Sequence, residues 1–248
     1  NGNWLFTLSR NMLDNKATKY FRNIETPENL LSDYQSQEME NKFRIDREFR
    51  IGEVKMSAGG NFNHSKYNNR SFLKSVSQNA FQLDNYASDI SLNQYGFYAQ
   101  ASQKFFNGKV NLSGGFRVDG SSYSDLTNNP LEQFSPRIAL QYRFTDNWAF
   151  NFNTGIYYQL PAYTALGFEI ENVLVNKPFL KYIQNSQAVA GFEYNGKDNL
   201  RITAETYYKK YKNYPFSLRN QISLANIGAD FGVVGIEPVD SRGFGETY

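Results

Sequence analysis

The 248-residue chain has no cysteine, which removes disulfide frameworks, thiol catalysis and thiolate metal sites. It has one histidine, His64, so neither a two-histidine metal motif nor a conventional catalytic pair can be assembled from its imidazoles. No run of ~18 apolar residues occurs, which excludes a membrane-spanning helix. Charge of one sign is also lacking: 26 Lys and Arg stand against 24 Asp and Glu, leaving no electrostatic case for a nucleic-acid partner. What the chain has in abundance is rings. Its 18 Tyr, 21 Phe and 2 Trp are too many for a disordered chain. They coexist with a mean hydropathy of −0.60, so polar residues must alternate with them. No composition shift marks a domain boundary, and an opening Asn is what a cut or processed end is expected to show.

The alternation has period two. In Phe134 to Phe144, one face carries Phe134, Pro136, Ile138, Leu140, Tyr142 and Phe144, and the other Ser135, Arg137, Gln141 and Arg143. Trp148 to Gln159 repeats it. One apolar and one polar face define a sheet strand. The same reading predicts strands over Trp4–Arg10, Asn41–Ile51, Val54–His64, Tyr95–Phe106, Lys109–Asp119, Gln187–Tyr194 and Leu200–Tyr211, with a tenth starting near Ser241. Thr26–Asn41 is the one charged segment compatible with a short helix.

Connections alternate between short and long. Arg50–Glu53, Asn107-Gly108, Thr145–Asn147 and Asn195–Asn199 read as tight turns, Asn-Gly being a favoured type I′ pair. Between them lie polar stretches near residues 11–38, 66–90, 121–133, 160–185 and 214–239, read as long loops. Phe134 and Phe144, Trp148 and Tyr158, and Tyr95 and Phe105 are each ten positions apart on the apolar face. At ~3.3 Å per residue and a tilt of ~40°, that spacing gives ~25 Å of height, the separation of two aromatic girdles around a lipid-facing band. The predicted fold is all-β: an antiparallel up-and-down transmembrane β-barrel. Its polar face, including Gln100, Lys104, Arg117, Arg137, Arg143, Arg201 and Glu205, is then expected to face the lumen, because charges at the lipid midplane cost ~2–4 kcal/mol each.

Several segments carry a resemblance. Gln94-Tyr-Gly-Phe-Tyr-Ala-Gln100, Phe134-Ser-Pro-Arg-Ile-Ala-Leu-Gln-Tyr142 and Thr154-Gly-Ile-Tyr-Tyr-Gln-Leu-Pro161 resemble consecutive strands of a TonB-dependent outer-membrane receptor. Glu205-Thr-Tyr-Tyr-Lys-Lys-Tyr-Lys-Asn-Tyr-Pro-Phe216 and Asn226-Ile-Gly-Ala-Asp-Phe-Gly-Val-Val-Gly235 are similar to the subtype with a carboxypeptidase-regulatory-like domain ahead of its plug. The resemblance implies a 22-stranded barrel of which residues 1–248 supply about ten strands, the plug domain and C-terminal strands lying outside the chain. It implies import of a nutrient such as a siderophore, glycan or peptide across the outer membrane of a Gram-negative bacterium, with no enzymatic activity and no cofactor. The implied partners are outer-membrane lipid, the receptor's own plug, TonB through an N-terminal region and a surface lipoprotein. The rivals are a passive porin-like channel, a secreted carbohydrate-binding β-sandwich with two packed sheets, and a barrel enzyme whose catalytic dyad is not visible.

Candidate sites are sparse. Tyr123, Tyr163 and Phe168 are loop rings placed to stack on a ligand, or else to pack loops together. Asp119, Ser121, Ser122 and Asp125 lack the spacing, the glycine and the closing Glu of a calcium loop. Gly59-Gly60 and Gly114-Gly115 sit within strands, where small residues allow curvature or close approach of a plug, and cannot be phosphate loops. His64 reads as a polar residue at the loop end of its strand.

Overall fold

The computed structural model describes residues 2–77, 80–197, 200–226 and 236–248, with side chains except those of 75–84. Its strands are β1 (Gly2–Tyr20), β2 (Leu30–Ile51), β3 (Val54–Ser77), β4 (Ala80–Phe105), β5 (Val110–Ser121), β6 (Ser135–Arg143), β7 (Trp148–Gln159), β8 (Glu169–Ile170), β9 (Val173–Leu174), β10 (Ile183–Asn195), β11 (Arg201–Ser217), β12 (Ile222–Ser223) and β13 (Val239–Thr247). Eleven form one sheet in the order β1-β2-β3-β4-β5-β6-β7-β10-β11-β12, with β13 also on β11, while β8 and β9 make a separate small hairpin. Every pairing in the large sheet is antiparallel, between chain neighbours, across the β8–β9 insertion or, for β11 with β13, across the short β12, which makes an up-and-down meander. Among the described residues β1 and β13 do not pair, so the sheet is not closed.

The register keeps every expected lumen residue on one face. Gln100 lies opposite Gly115, Gly115 opposite Arg137, and Lys104 opposite Asn111. The other face is an exposed apolar belt in which Phe6, Phe97, Ile138, Trp148, Phe192 and Ile202 lie open. Ring contacts run along this belt: Phe97 to Phe116, Phe116 to Phe134, Phe144 to Phe192, and Trp148 to Tyr194. A β-sandwich would cover such a face with a second sheet. Here it is uncovered, which removes the sandwich reading.

Four strands are much longer than the alternation predicts. β1 extends to Tyr20, β2 begins at Leu30, β3 runs to Ser77 and β4 starts at Ala80. Most of the expected loops at 11–38 and 66–90 is therefore paired strand, from Ser77 opposite Ala80 through the whole arm. The expected helix in Thr26–Asn41 is one 3-10 turn, Pro27–Asn29, before β2 takes over. The 26 residues of β4 span ~85 Å at ~3.4 Å each, about 65 Å of height at a 40° tilt, against a lipid band of ~25 Å. The arms thus rise far beyond the belt. His64 lies within β3, not at its end.

Tight turns close the opposite ends. Gly52 (φ +59°) opens the two-residue link from Ile51 to Val54, a position that favours glycine. The link between β4 and β5 turns one residue before the expected Asn-Gly pair: Phe106 and Asn107 adopt φ of +52° and +54°, and Gly108 N–H donates to the Phe105 carbonyl at 3.1 Å.

Candidate functional site

Two features of the inner face stand out: a polar ladder behind the belt, and a packed cap of loops above it. The ladder follows from period two, since polar residues on one face of adjacent strands meet side by side. Arg44 bonds Asp46, with Nε 2.7 Å from Oδ2, and Tyr98 Oη donates to the same carboxylate at 2.6 Å. On β5, three strands from that pair, Arg117 grips Asp119 (Nε to Oδ2, 2.7 Å) and donates through Nη2 to Asn61 Oδ1 at 2.7 Å. The Arg137 guanidinium lies 4.4 Å from the centre of the Tyr157 ring. Toward the turns, Gln141 donates to Asn151, and Arg201 reaches Glu193 at 3.1 Å.

Glycines make room for this ladder. A Cβ on Gly59 would stand 2.5 Å from Asp46 Oδ1, 2.6 Å from the Ile45 carbonyl and 2.7 Å from the Tyr98 ring. On Gly96 it would meet Asp119 and Arg117, and on Gly115 the Gln100 side chain. Gly59 and Gly115 therefore clear space for neighbouring side chains. Gly60 and Gly114 point to the belt side, where a Cβ meets nothing closer than 3.5 Å.

The sheet curls enough that Ser9 of β1, Asn61, Gln94, Tyr98 and Arg117 of the ladder, and Gln159 and Tyr182 from the far side line one cavity of about 460 Å³. A second, of about 510 Å³, lies nearer the turns between Glu48, Gln100, Arg137 and Tyr157. Of the expected lumen residues, Arg117, Arg137 and Arg201 join the ladder, and Gln100 borders the second cavity. Lys104 borders a wider one at the turns with Arg50 and Lys55. Arg143 and Glu205 share the inner face and are exposed.

The cap holds the only cluster of buried apolar side chains among the described residues. Tyr67, Ile90 and Leu92 project from the inner sides of the tall arms and pack with Tyr123, Ala165, Leu166, Leu180 and Leu224 from the connections and with Val239 at the start of β13. Segment 160–182, with its short helix (Tyr163–Leu166), folds over to reach them. Hydroxyls fasten it: Tyr123 Oη donates to the Leu166 carbonyl at 2.7 Å, Tyr86 Oη to the Gly167 carbonyl at 2.6 Å, and Tyr163 Oη to Glu40 at 3.0 Å. Tyr163 stacks on Tyr67, and Phe168 on Tyr86. Asn176, fully buried, donates to the carbonyls of Ala165 and Glu237 and accepts from Val239 N–H, each at 2.9 Å.

Burial raises the phenols of Tyr67, Tyr123 and Tyr182 well above the usual tyrosine range and pushes Tyr163 up to about 12. Burial raises Glu40 too, but hydrogen bonds from Lys42, Tyr163 and Asn63 and the Lys42 charge outweigh it, leaving a lowered pKa. Tyr123 and Phe168 are thus buried packing rings, and Tyr163 is half-buried with one face stacked on Tyr67. Sequence reasoning missed Asn176 altogether, since a lone Asn in a polar stretch carries no signal. Asp119 is engaged by Arg117, and no group of three histidine or carboxylate metal ligands occurs among the described residues. Most of the Asn226–Gly235 segment lies outside the described residues.

Comparison with known proteins matches this geometry. The family profile for TonB dependent receptor-like β-barrels matches residues 1–244. The ferric enterobactin receptor of Pseudomonas aeruginosa superposes with a TM-score of 0.62 at 16% identity, over 86% of this chain and 33% of that one. The P. aeruginosa receptor FpvA, bound to a heterologous pyoverdine, gives 0.62 at 12% over 99% and 34%. The ferric-catecholate import receptor Fiu of Escherichia coli K12 gives 0.57 at 13% over 99% and 41%. No curated protein matches the sequence. The chain spans about a third to two-fifths of the length of these solved receptors, and at such identities they establish a shared fold. With the profile covering nearly all of it, the chain belongs to the TonB dependent receptor-like β-barrel family.

Proposed function

We propose that this chain is part of the barrel wall of an outer-membrane receptor that imports a scarce nutrient such as a siderophore, glycan or peptide with energy delivered through TonB. The observation that carries the reading is the opposition of the two faces in a single register. An exposed apolar belt suits lipid, and the charged ladder directly behind it suits a watery or plug-filled lumen. That receptors of this fold include one for ferric enterobactin and one bound to a pyoverdine supports nutrient uptake as the class of work.

On this reading the edges of β1 and β13 continue into the rest of the barrel, since lipid does not tolerate unpaired backbone. The same receptor's plug occupies the lumen, TonB engages an N-terminal region, and a surface lipoprotein is a further partner. The location is the outer membrane of a Gram-negative bacterium, and the role is scaffolding and solute recognition without catalysis. The segment Glu205–Phe216 supports the subtype with a carboxypeptidase-regulatory-like domain.

The test is uptake. The full receptor carrying this chain is expected in the outer-membrane fraction, extractable only with detergent, with nutrient uptake abolished when TonB is deleted. Recovery as a detergent-free soluble protein would refute the reading. Conductance in planar bilayers without TonB would favour a passive porin-like channel instead.

A further inference from the structure

We propose that Met12, Met39 and His64, on the outward face of the tall arms, bind a soft monovalent metal ion of the Cu(I) or Ag(I) class. The site lies outside the lumen, so it stands apart from the path of import proposed above and does not depend on what is imported.

The chain has three methionines and one histidine, and the sheet brings two of the three and the histidine into one patch. Met12 of β1 lies directly opposite Met39 of β2. Met39 in turn lies opposite Lys66 of β3, so His64, two residues along, is its diagonal neighbour on the same face. Directly opposed Cβ atoms are ~5 Å apart and diagonal pairs ~7–8 Å, a gap that long side chains can close. Methionine is suited to it, with three rotatable bonds and a polarisable sulfur.

Each donor is open to a metal. Met12 is 59% exposed. The Met39 sulfur is turned toward the row below, where it accepts from Arg10 Nη2 at 2.8 Å. A thioether is a weak acceptor, so a soft cation can displace that bond. His64 Nδ1 lies 2.8 Å from Asn93 Oδ1. An amide oxygen can only accept, so the imidazole proton sits on Nδ1 and the Nε2 lone pair is left for a ligand. Metal-binding histidines are supported in the same way, with the other ring N–H donated to an oxygen. Two thioethers and a neutral imidazole make an uncharged donor set, and thioether sulfur selects Cu(I) over hard ions.

The surroundings point the same way. The two rows that hold the donors are Arg10, Asn41, His64 and Asn93, then Met12, Met39, Lys66 and Ser91, with no carboxylate in either. Asp14 and Asp89 enter only in the next row. Calcium and magnesium are held by oxygen ligands, carboxylates above all, which these rows lack. Arg10 and Lys66 are exposed beside the donors and repel a divalent ion twice as strongly as a monovalent one.

The test uses the full receptor carrying this chain, purified in detergent and titrated anaerobically with Cu(I) held by bicinchoninate, whose loss of colour reports transfer to the protein. Met39→Leu and His64→Gln should each weaken that transfer by at least about tenfold. Leucine keeps the volume of methionine, and unchanged β-rich circular dichroism would show that the fold is intact. Met56→Leu, on the same face of β3 but down in the belt, should leave transfer unchanged. X-ray absorption at the copper edge is expected to show sulfur neighbours in the loaded parent that are lost from the Met12→Leu, Met39→Leu double variant. Equal transfer to the parent and the double variant overturns the site. A shell of nitrogen and oxygen alone overturns the thioether assignment, and tighter binding of Zn(II) than of Cu(I) overturns the choice of a soft monovalent ion.

Discussion

Along β3, Val54, Met56, Ala58, Gly60 and Phe62 point outward in the lower half of the strand, and Lys66, Asn68 and Arg70 point outward in the upper half. The inner face changes in the opposite sense. Low down it is Ser57, Gly59 and Asn61, beside a charged ladder. Higher up it is Asn63, Ser65, Tyr67 and Asn69, each nine-tenths or more buried under the loop cap. One strand therefore has its apolar surroundings outside at one end and its core inside at the other. The backbone is the same throughout. What differs is the medium on each side, and side chains follow the medium.

The comparison can be broken at either end. The largest expected effect is in the cap, where Leu166 has no exposed surface. Leu166→Ala should cost about 2–5 kcal/mol of local stability. The expected sign is rapid proteolytic cleavage within 160–182 while the barrel keeps its β-rich circular dichroism. Phe97→Arg in the belt comes next, at about 2–4 kcal/mol if it lies near the lipid midplane, read as impaired insertion or folding into bilayers. Asn68→Arg, on the same face but above the belt, should change stability by less than about 0.5 kcal/mol. Equal sensitivity at both positions, on the adjacent strands β4 and β3, would contradict the division of the outward face into a belt and an upper half.

A smaller test concerns the neighbouring glycines. Gly59→Ala drives a methyl against the Ile45 carbonyl and the Asp46–Tyr98 pair, and should cost about 1–3 kcal/mol in denaturant titrations. Gly60→Ala, open to the belt side, should be close to neutral. The subtlest test is alkaline pH. Tyr67, Tyr123, Tyr163 and Tyr182 have phenols raised by burial in the cap, so their stabilising contribution is complete below about pH 10, the unfolded value. It falls as pH rises through the folded values, starting with Tyr163 near 12. Near-ultraviolet circular dichroism and tyrosinate absorbance should show the cap loosening in that window. A cap that outlasts the barrel would contradict the assignment.

The belt was legible in the sequence because an open apolar face on one side and a polar ladder on the other impose a hydropathy alternation. Trp148–Gln159 was bounded to the residue for that reason. The arms were not legible, because their outward face meets water and their inner face buries Asn63, Ser65, Asn69 and Ser88. Polar residues on both sides cancel the period-two signal even where pairing is continuous. His64 reads as a loop-end residue in the sequence for this reason. The polar ladder could be read as a set of residues on one face, but its partners depend on register across strands, as with Arg117 reaching Asn61 over a separation of 56 residues. The burial of Tyr123 and Phe168 depended on segment 160–182 folding back onto the arms, and composition says nothing about where a long connection returns.

Asn176 ties this cap together in a way that matters to anyone exchanging loops between barrels. Its single amide spans the segment after β7 and the chain entering β13. Transplanting one of these stretches alone would strand buried carbonyls or an N–H in the other. The natural unit of exchange is the pair, and a library that shuffles them separately should yield mostly proteins whose loop cap never sets.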